Sequence, residues 1–373
     1  MAIDRRHFLA LGAAALASYS HRAAAAGLTG PTEALYASAA KLDDGRYALV
    51  VVTAAGKLID TVPLAGRGHD VTASPTGNLA VVFARRPGTF AMAYDLTRAQ
   101  APILFNSPED RHFFGHGVFS PDGRLLYATE NDFENARGVL GIYDVGAGFR
   151  RIGEIDTHGI GPHDLLLLKD GRTICIANGG IETHPAAGRT KLNLATMQPS
   201  IVFIDRLTGD VISSHNAPAD IHQLSLRHIC QDASGQVWVG GQWEGSLEEA
   251  PMLMARVNRD KPICFCEAEP TFGASLNGYI GSVTASRDGK FIAASAPRAG
   301  TTIFIDATNG KILERHKIKD GCGIAASDHG GFIVSSGLGE LHETGPSGQG
   351  DNLHKLPRIA FDNHMLKLLT PSG

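Results

Sequence analysis

The sequence predicts an all-β chain folded as a seven-bladed β-propeller, in which strands from both termini complete one blade. Three observations predict it. A hairpin-like segment recurs at a near-constant interval, the apolar strands that follow it end in Asp and a turn, and the first segment lacks the strand with which every later copy begins. Repeats of about 40–50 residues, each too small to bury its own faces, are the signature of four-stranded blades stacked around an axis.

Taken in order, "LYASAAK", "RYALVVVT" and "KLIDTVPL" read as strands b, c and d of a blade without strand a. Full copies begin at "HDVTASPTGNLAVVFA" (His69), "HGVFSPDGRLLYATE" (His116), "HDLLLLKDGRTICIAN" (His163), "HICQDASGQVWVGGQ" (His228), "SVTASRDGKFIAASA" (Ser282) and "GIAASDHGGFIVSSG" (Gly323). Each places Ser, Asp, Gly or Pro between two apolar runs, the chemistry of a tight turn between antiparallel strands. The outer pair follows in "TFAMAYDLT", "VLGIYDVG", "IVFIDRLTGDVI" and "TIFIDATNGKIL". Residues 338–357 hold the weakest strands c and d. A final half-copy, "HMLKLLT" from His364, is the spare strand a. Pairing it with the N-terminal strands leaves no open edge in the ring.

The domain boundaries follow. Residues 1–26, "MAIDRRHFLALGAAALASYSHRAAAA", have a basic start, a short apolar stretch and a small-residue end, as an export signal does. Arg5-Arg6 followed by Phe8-Leu9 resembles the twin-arginine signal, although Asp4 stands where Ser or Thr is usual. Residues 27–373 form a single propeller domain with a periplasmic destination. No run of 18 apolar residues predicts a transmembrane helix. The chain carries 34 bases against 38 acids, and the leader takes three arginines with it. An acidic mature protein has no electrostatic footprint for nucleic acid or an anionic membrane. Five cysteines form no disulfide framework and read as small core residues.

The histidines stand where an apolar residue is expected. Strands a line a propeller's axis, so equivalent starts converge at one end of the channel. That set is His69, His116, His163, His228 and His364, with Ser282 and Cys322-Gly323 in the other two blades. Loops on the same face add His112, His158 and His222, and also Arg85, Arg86, Glu130, Asn131, Asn178, His184, Gln242 and Trp243. Residues 179–200 and 242–252 lengthen this face as lids over a site would.

Three readings of the ring stand side by side. It is a structural set of polar groups and water; or a transition-metal site for iron, copper or zinc, which neutral imidazole suits; or a pocket for an anionic or aromatic small ligand held by His, Arg85, Arg86 and Trp243. A protein-interaction platform, with a periplasmic partner across one face, is a fourth. The sequence lacks G-x-S-x-G, P-loop and H-E-x-x-H motifs, which favours a binding protein over an enzyme. A lactonase-like hydrolase would draw its metal ligands from carboxylates and amides such as Glu130, Asn131 and Asn178.

The "H-x-x-x-S-P-D-G-x-x-L-Y" pattern resembles WD40-like, YVTN-type and lactonase-type propellers. The twin-arginine leader with seven His-initiated or equivalent copies is similar to an exported bacterial family of undefined function, encoded beside imelysin-type, iron-regulated periplasmic proteins. That resemblance implies a role in iron or metal acquisition and assigns no ligand residue. The ring also resembles the histidine-lined propeller of nitrous oxide reductase, but this chain has no copper-binding domain after the propeller.

Overall fold

The structure is a computed structural model and describes residues 34–346 and 352–368. The expected leader at 1–26 lies outside the described residues. Seven antiparallel sheets follow one another along the chain. Innermost strands of successive blades touch all the way round, the last against the first, so the ring is closed. Among the described residues no helix is long and apolar enough to cross a membrane.

Blade 1 joins the two ends of the chain. Leu35–Leu42, Tyr47–Thr53 and Leu58–Leu64 are its outer strands, and its innermost position is shared by Ile359–Phe361 and Leu366–Lys367. Both short strands run antiparallel to Leu35–Leu42, with Ala40 opposite Phe361 and Ala37 opposite Leu366. Closure therefore starts at Ile359, ahead of the expected start at His364. Three residues are too short a run to be read as a strand from their sequence. Blades 2 to 7 begin with Gly68–Ala73, Arg111–Phe119, Pro162–Leu167, Leu224–Gln231, Ser282–Ala285 and Gly321–Ala326. The weak copy is complete, because Glu340–Thr344 pairs with Asn352–Lys355.

Local chemistry sets the turns. Ser120 Oγ accepts the Leu125 N–H and bonds Asp122, and Ser286 does the same for Phe291 and Asp288. At the ends of strands c, Asp95, Asp205 and Asp306 each accept the N–H two residues on, the Asx turn. The core lies between neighbouring blades rather than inside any one. Phe83 and Phe105 of blade 2 pack with Phe113, Tyr143 and Phe149 of blade 3, and the Phe105 and Phe149 rings stack at 4.7 Å. Such inter-blade burial leaves the axis free for polar side chains.

Candidate functional site: a buried histidine cluster beneath a cationic cavity

A β-bulge builds the site. In blade 2 the register jumps between Gly68 and Val71, in blade 3 between Phe113 and Gly117, in blade 4 between Pro162 and Asp164, and in blade 5 between Leu226 and His228. Each jump contains or ends on the histidine. In a regular strand His69 and Asp70 would face opposite sides of the sheet. The extra residue breaks that alternation and re-aims both at the axis. In blade 1 the gap between its two inner strands does the same for Asp362 and His364.

The five histidines meet as a packed cluster, tighter than a ring around an open channel mouth. The His116 ring lies in the middle, 4.8–5.8 Å from those of His69, His163, His228 and His364. His69 and His364 are 4.6 Å apart, and His163 and His228 are 4.7 Å apart. His69, His116, His228 and His364 are buried. Two glycines make room. Gly115, at φ +109°, lies where a Cβ would come within 2.6 Å of the His69 ring. A Cβ on Gly323 would meet the His364 backbone at 2.7 Å.

Carboxylates hold two of the rings. His116 Nδ1 lies 3.2 Å from Asp164 and 3.3 Å from Asp70, and His69 Nδ1 lies 3.4 Å from Asp362. Several of the other ring nitrogens have no partner. Nε2 of His116, His163, His228 and His364, and also Nδ1 of His228, are buried with no hydrogen bond among the described residues. Burial opposes a charge on His116, but Asp164 and Asp70 outweigh it and raise the imidazole to about 10. Burial dominates elsewhere. It takes His69, His163 and His228 well below their ordinary value, and His364 down to about 4. The cluster is thus one imidazolium among four neutral imidazoles. A carboxylate on Nδ1 with a bare Nε2 is how proteins orient a metal-binding histidine. Two triads, His69–His116–His163 and His116–His228–His364, each bring a ligand atom from every member within 4.8 Å of the others. A tetrahedral ion with bonds of about 2.0–2.1 Å needs donors about 3.3–3.4 Å apart, so loading would draw a triad in by roughly an ångström.

A cavity of about 490 Å3 opens onto the cluster through His69 and His163. Six cations line it, namely Arg85, Arg86, Arg189, Lys191, Arg227 and Arg298, against one acid, Asp320. Gln242, Phe114, Tyr279, Pro297 and Asn363 complete its wall. The long loops do cover this face: the first supplies Arg189 and Lys191, and Lys191 ion-pairs with Glu244 of the second.

Of the loop residues singled out from the sequence, Arg85, Arg86 and Gln242 reach this cavity. The others lie outside its lining and have uses of their own. His112 bonds the Phe113 carbonyl and accepts from Asn131, which also donates to the Thr183 carbonyl. Glu130 is buried against Tyr143 and Arg151. Asn178 donates to the Thr157 carbonyl, and His184 contacts Glu134 while accepting from the Ala186 N–H. His158 sits in a turn at φ +54°, His222 bonds the Ala219 carbonyl, and Trp243 donates to the Ser246 carbonyl. The sequence reading missed Asp70, Asp164, Asp362, Arg189, Lys191, Arg227 and Arg298. A signal was present for some, since Asp follows His in two of the repeat starts and Arg227 precedes His228.

Residues 62–368 match the model of a family described as "Protein of unknown function (DUF1513)". No curated protein matches the chain. Several solved structures share the fold. The periplasmic gluconolactonase PpgL of Pseudomonas aeruginosa is 14% identical, with a TM-score of 0.61 over 90% of this chain and 100% of that one. A chain of Kuenenia stuttgartiensis hydrazine synthase is 14% identical, with a TM-score of 0.60 over 85% and 94%. A functionally unknown protein of Desulfotomaculum acetoxidans DSM 771 is 12% identical, with a TM-score of 0.61 over 90% and 99%.

Proposed function

For this chain, which belongs to the DUF1513 family, we propose the binding of a transition metal ion by the axial histidine cluster. One observation carries the reading: four Nε2 atoms are buried without partners in a cluster whose ring nitrogens form two triads within 4.8 Å, while carboxylates hold Nδ1 of His116 and His69. Buried polar atoms left unpaired cost free energy, and a metal removes that cost at several rings together. His116 belongs to both triads and is the pivotal ligand, with His163 and His69 on the cavity side and His228 and His364 behind. Imidazole donors suit iron, copper and zinc alike. Asp70, Asp164 and Asp362 supply the negative charge that a divalent ion needs nearby, and loading would release the His116 proton.

Export by the twin-arginine route, through Arg5-Arg6, would carry the folded protein to the periplasm, where such a site serves metal acquisition. A gluconolactonase among the structural neighbours raises a hydrolase reading. The 14% identity carries the fold alone, Glu130 is held by Tyr143 and Arg151, and none of Glu130, Asn131 and Asn178 lines the cavity. Calorimetry on metal-stripped protein with zinc, copper and ferrous iron tests the metal reading. One of these ions should bind at micromolar or tighter Kd, and His116→Ala with His163→Ala should weaken it by at least 100-fold while a cooperative melt remains. Absence of binding by all three ions returns the cluster to a structural role.

A further inference from the structure

The cavity beside the histidines gathers more positive charge than the carboxylates around it neutralise. Arg85 is paired with Asp362 at 3.0 Å, Lys191 pairs with Glu244, and Arg298 lies over the Tyr279 ring at 4.6 Å. Arg86 and Arg189 have no carboxylate partner among the described residues, and Arg227 has only the Ser225 hydroxyl, at 3.3 Å. Arg86 and Arg227 are both half-buried. Burial, and then the charges of Arg227, Arg189 and Arg85, lower Arg86 to about 10. Like charges held together in a low-dielectric wall are costly unless an anion joins them. The concentration is local, because the whole chain has a net charge of −4.

We propose that this cavity is the binding site of a small organic polyanion whose carboxylate or phosphate groups are held by Arg86, Arg189 and Arg227. Guanidinium forks bind such oxyanions through paired, charge-assisted hydrogen bonds. At about 490 Å3 the cavity is of small-molecule size and does not suit a polymer. A lone monovalent anion would leave most of the cations unpaired, so at least two charged groups are needed. Phe114, Tyr279 and Pro297 give the carbon skeleton an apolar wall. The two long loops contribute Arg189 and Gln242, so the ligand would bridge both lids. The proposal rests on arginines and holds whether or not the histidines carry a metal. With a metal in place, the anion would lie beside the His69 and His163 face of the cluster.

The test is calorimetric titration of metal-stripped protein with citrate, inorganic pyrophosphate and acetate, at low salt and at 0.5 M sodium chloride. Citrate or pyrophosphate should bind at least ten-fold more tightly than acetate and weaken in high salt; the tighter of the two separates a carboxylate ligand from a phosphate one. Arg86→Gln and Arg189→Gln should each lower the affinity about ten-fold, and Arg287→Gln, on the far blade surface, should leave it unchanged. Arg189 is an exposed loop residue whose replacement is compatible with folding, so it decides the test should Arg86→Gln melt without cooperativity. No preference for either polyanion over acetate, or wild-type affinity in Arg189→Gln, overturns the proposal. Because the protein is metal-free throughout, these outcomes stand apart from success or failure of the metal reading.

Discussion

Blades 4 and 6 have nearly the same sheet, and one residue of register separates a site from a plain strand. In blade 6, Ser282–Ala285 pairs with Ser295 to Ile292 without interruption, and no histidine faces the axis. In blade 4 the register shifts between Pro162 and Asp164, and the strand delivers both His163 and Asp164 to the cluster. Regular pairing makes scaffold; the bulge makes chemistry. Blade 7 marks the boundary of the rule. It also shifts, between Gly321 and Ile324, but holds Cys322 and Gly323 there, and its glycine serves to let the His364 segment approach.

The largest effect that separates scaffold from site is expected at the closing strands. Deleting residues 359–373 opens the inner edge of blade 1 and removes Asp362 and His364 together. Cooperative thermal unfolding should be lost and aggregation should follow; an unchanged melting temperature would contradict closure by the two termini.

Within the cluster, two histidines should behave oppositely in metal-free protein. His116→Ala leaves Asp70 and Asp164 facing one another without their cation, and should cost about 3 kcal/mol in denaturant unfolding. His228→Leu removes two nitrogens that have no hydrogen bond and should change stability by less than about 1 kcal/mol. Equal losses in both variants would erase the distinction between a paired ring and bare ones. On adding metal the His116→Ala protein should gain less thermal stability than wild type, because His116 belongs to both triads.

The pH dependence sharpens the same contrast. His116 is raised on folding, so its contribution is full below about 6.5 and is lost as pH rises toward about 10. His69, His163, His228 and His364 are lowered on folding, so theirs is present above about 6.5 and is lost as pH falls toward their folded values. Metal-free protein should therefore be most stable near neutrality, with a steeper acid limb than alkaline limb in pH-resolved melts. In His116→Ala the alkaline slope should flatten. A smaller effect is expected at Gly115→Ala, which combines a positive φ with a contact on the His69 ring. It should cost about 1–2 kcal/mol and weaken metal binding only through His69.

How much of this was legible follows from what repeats and what does not. The Ser-Pro-Asp-Gly turns and Asp-ended strands recur in register, so blade number and closure could be read directly from the residues. His69, His116, His163, His228 and His364 could be placed near one another for the same reason, since equivalent positions in a closed ring must converge. Which side chains turn inward could not. The bulges that aim Asp70 and Asp164 at His116 add an unpaired residue, which period-two patterning reads as noise. The cationic wall was hidden for another reason. Arg189, Lys191 and Arg298 come from loops of unequal length, where no repeat relates one blade to the next. Conversely, Glu130, Asn131 and Asn178 read as loop residues, yet they lie at the ends of the strands Leu125–Asp132 and Thr173–Asn178 and outside the cavity lining.

The central claim is that an ion is held at the axis by imidazole nitrogens that the fold leaves bare. X-ray absorption at the metal edge of protein loaded with one equivalent of zinc tests it most directly. The account predicts a first shell of at least three nitrogen donors at about 2.0–2.1 Å, with the outer-shell scattering of imidazole rings, reduced by one ring in His116→Ala, the residue common to both triads. A shell of oxygen donors without imidazole scattering, or the same spectrum in wild type and in the variant lacking both His116 and His163, would contradict it.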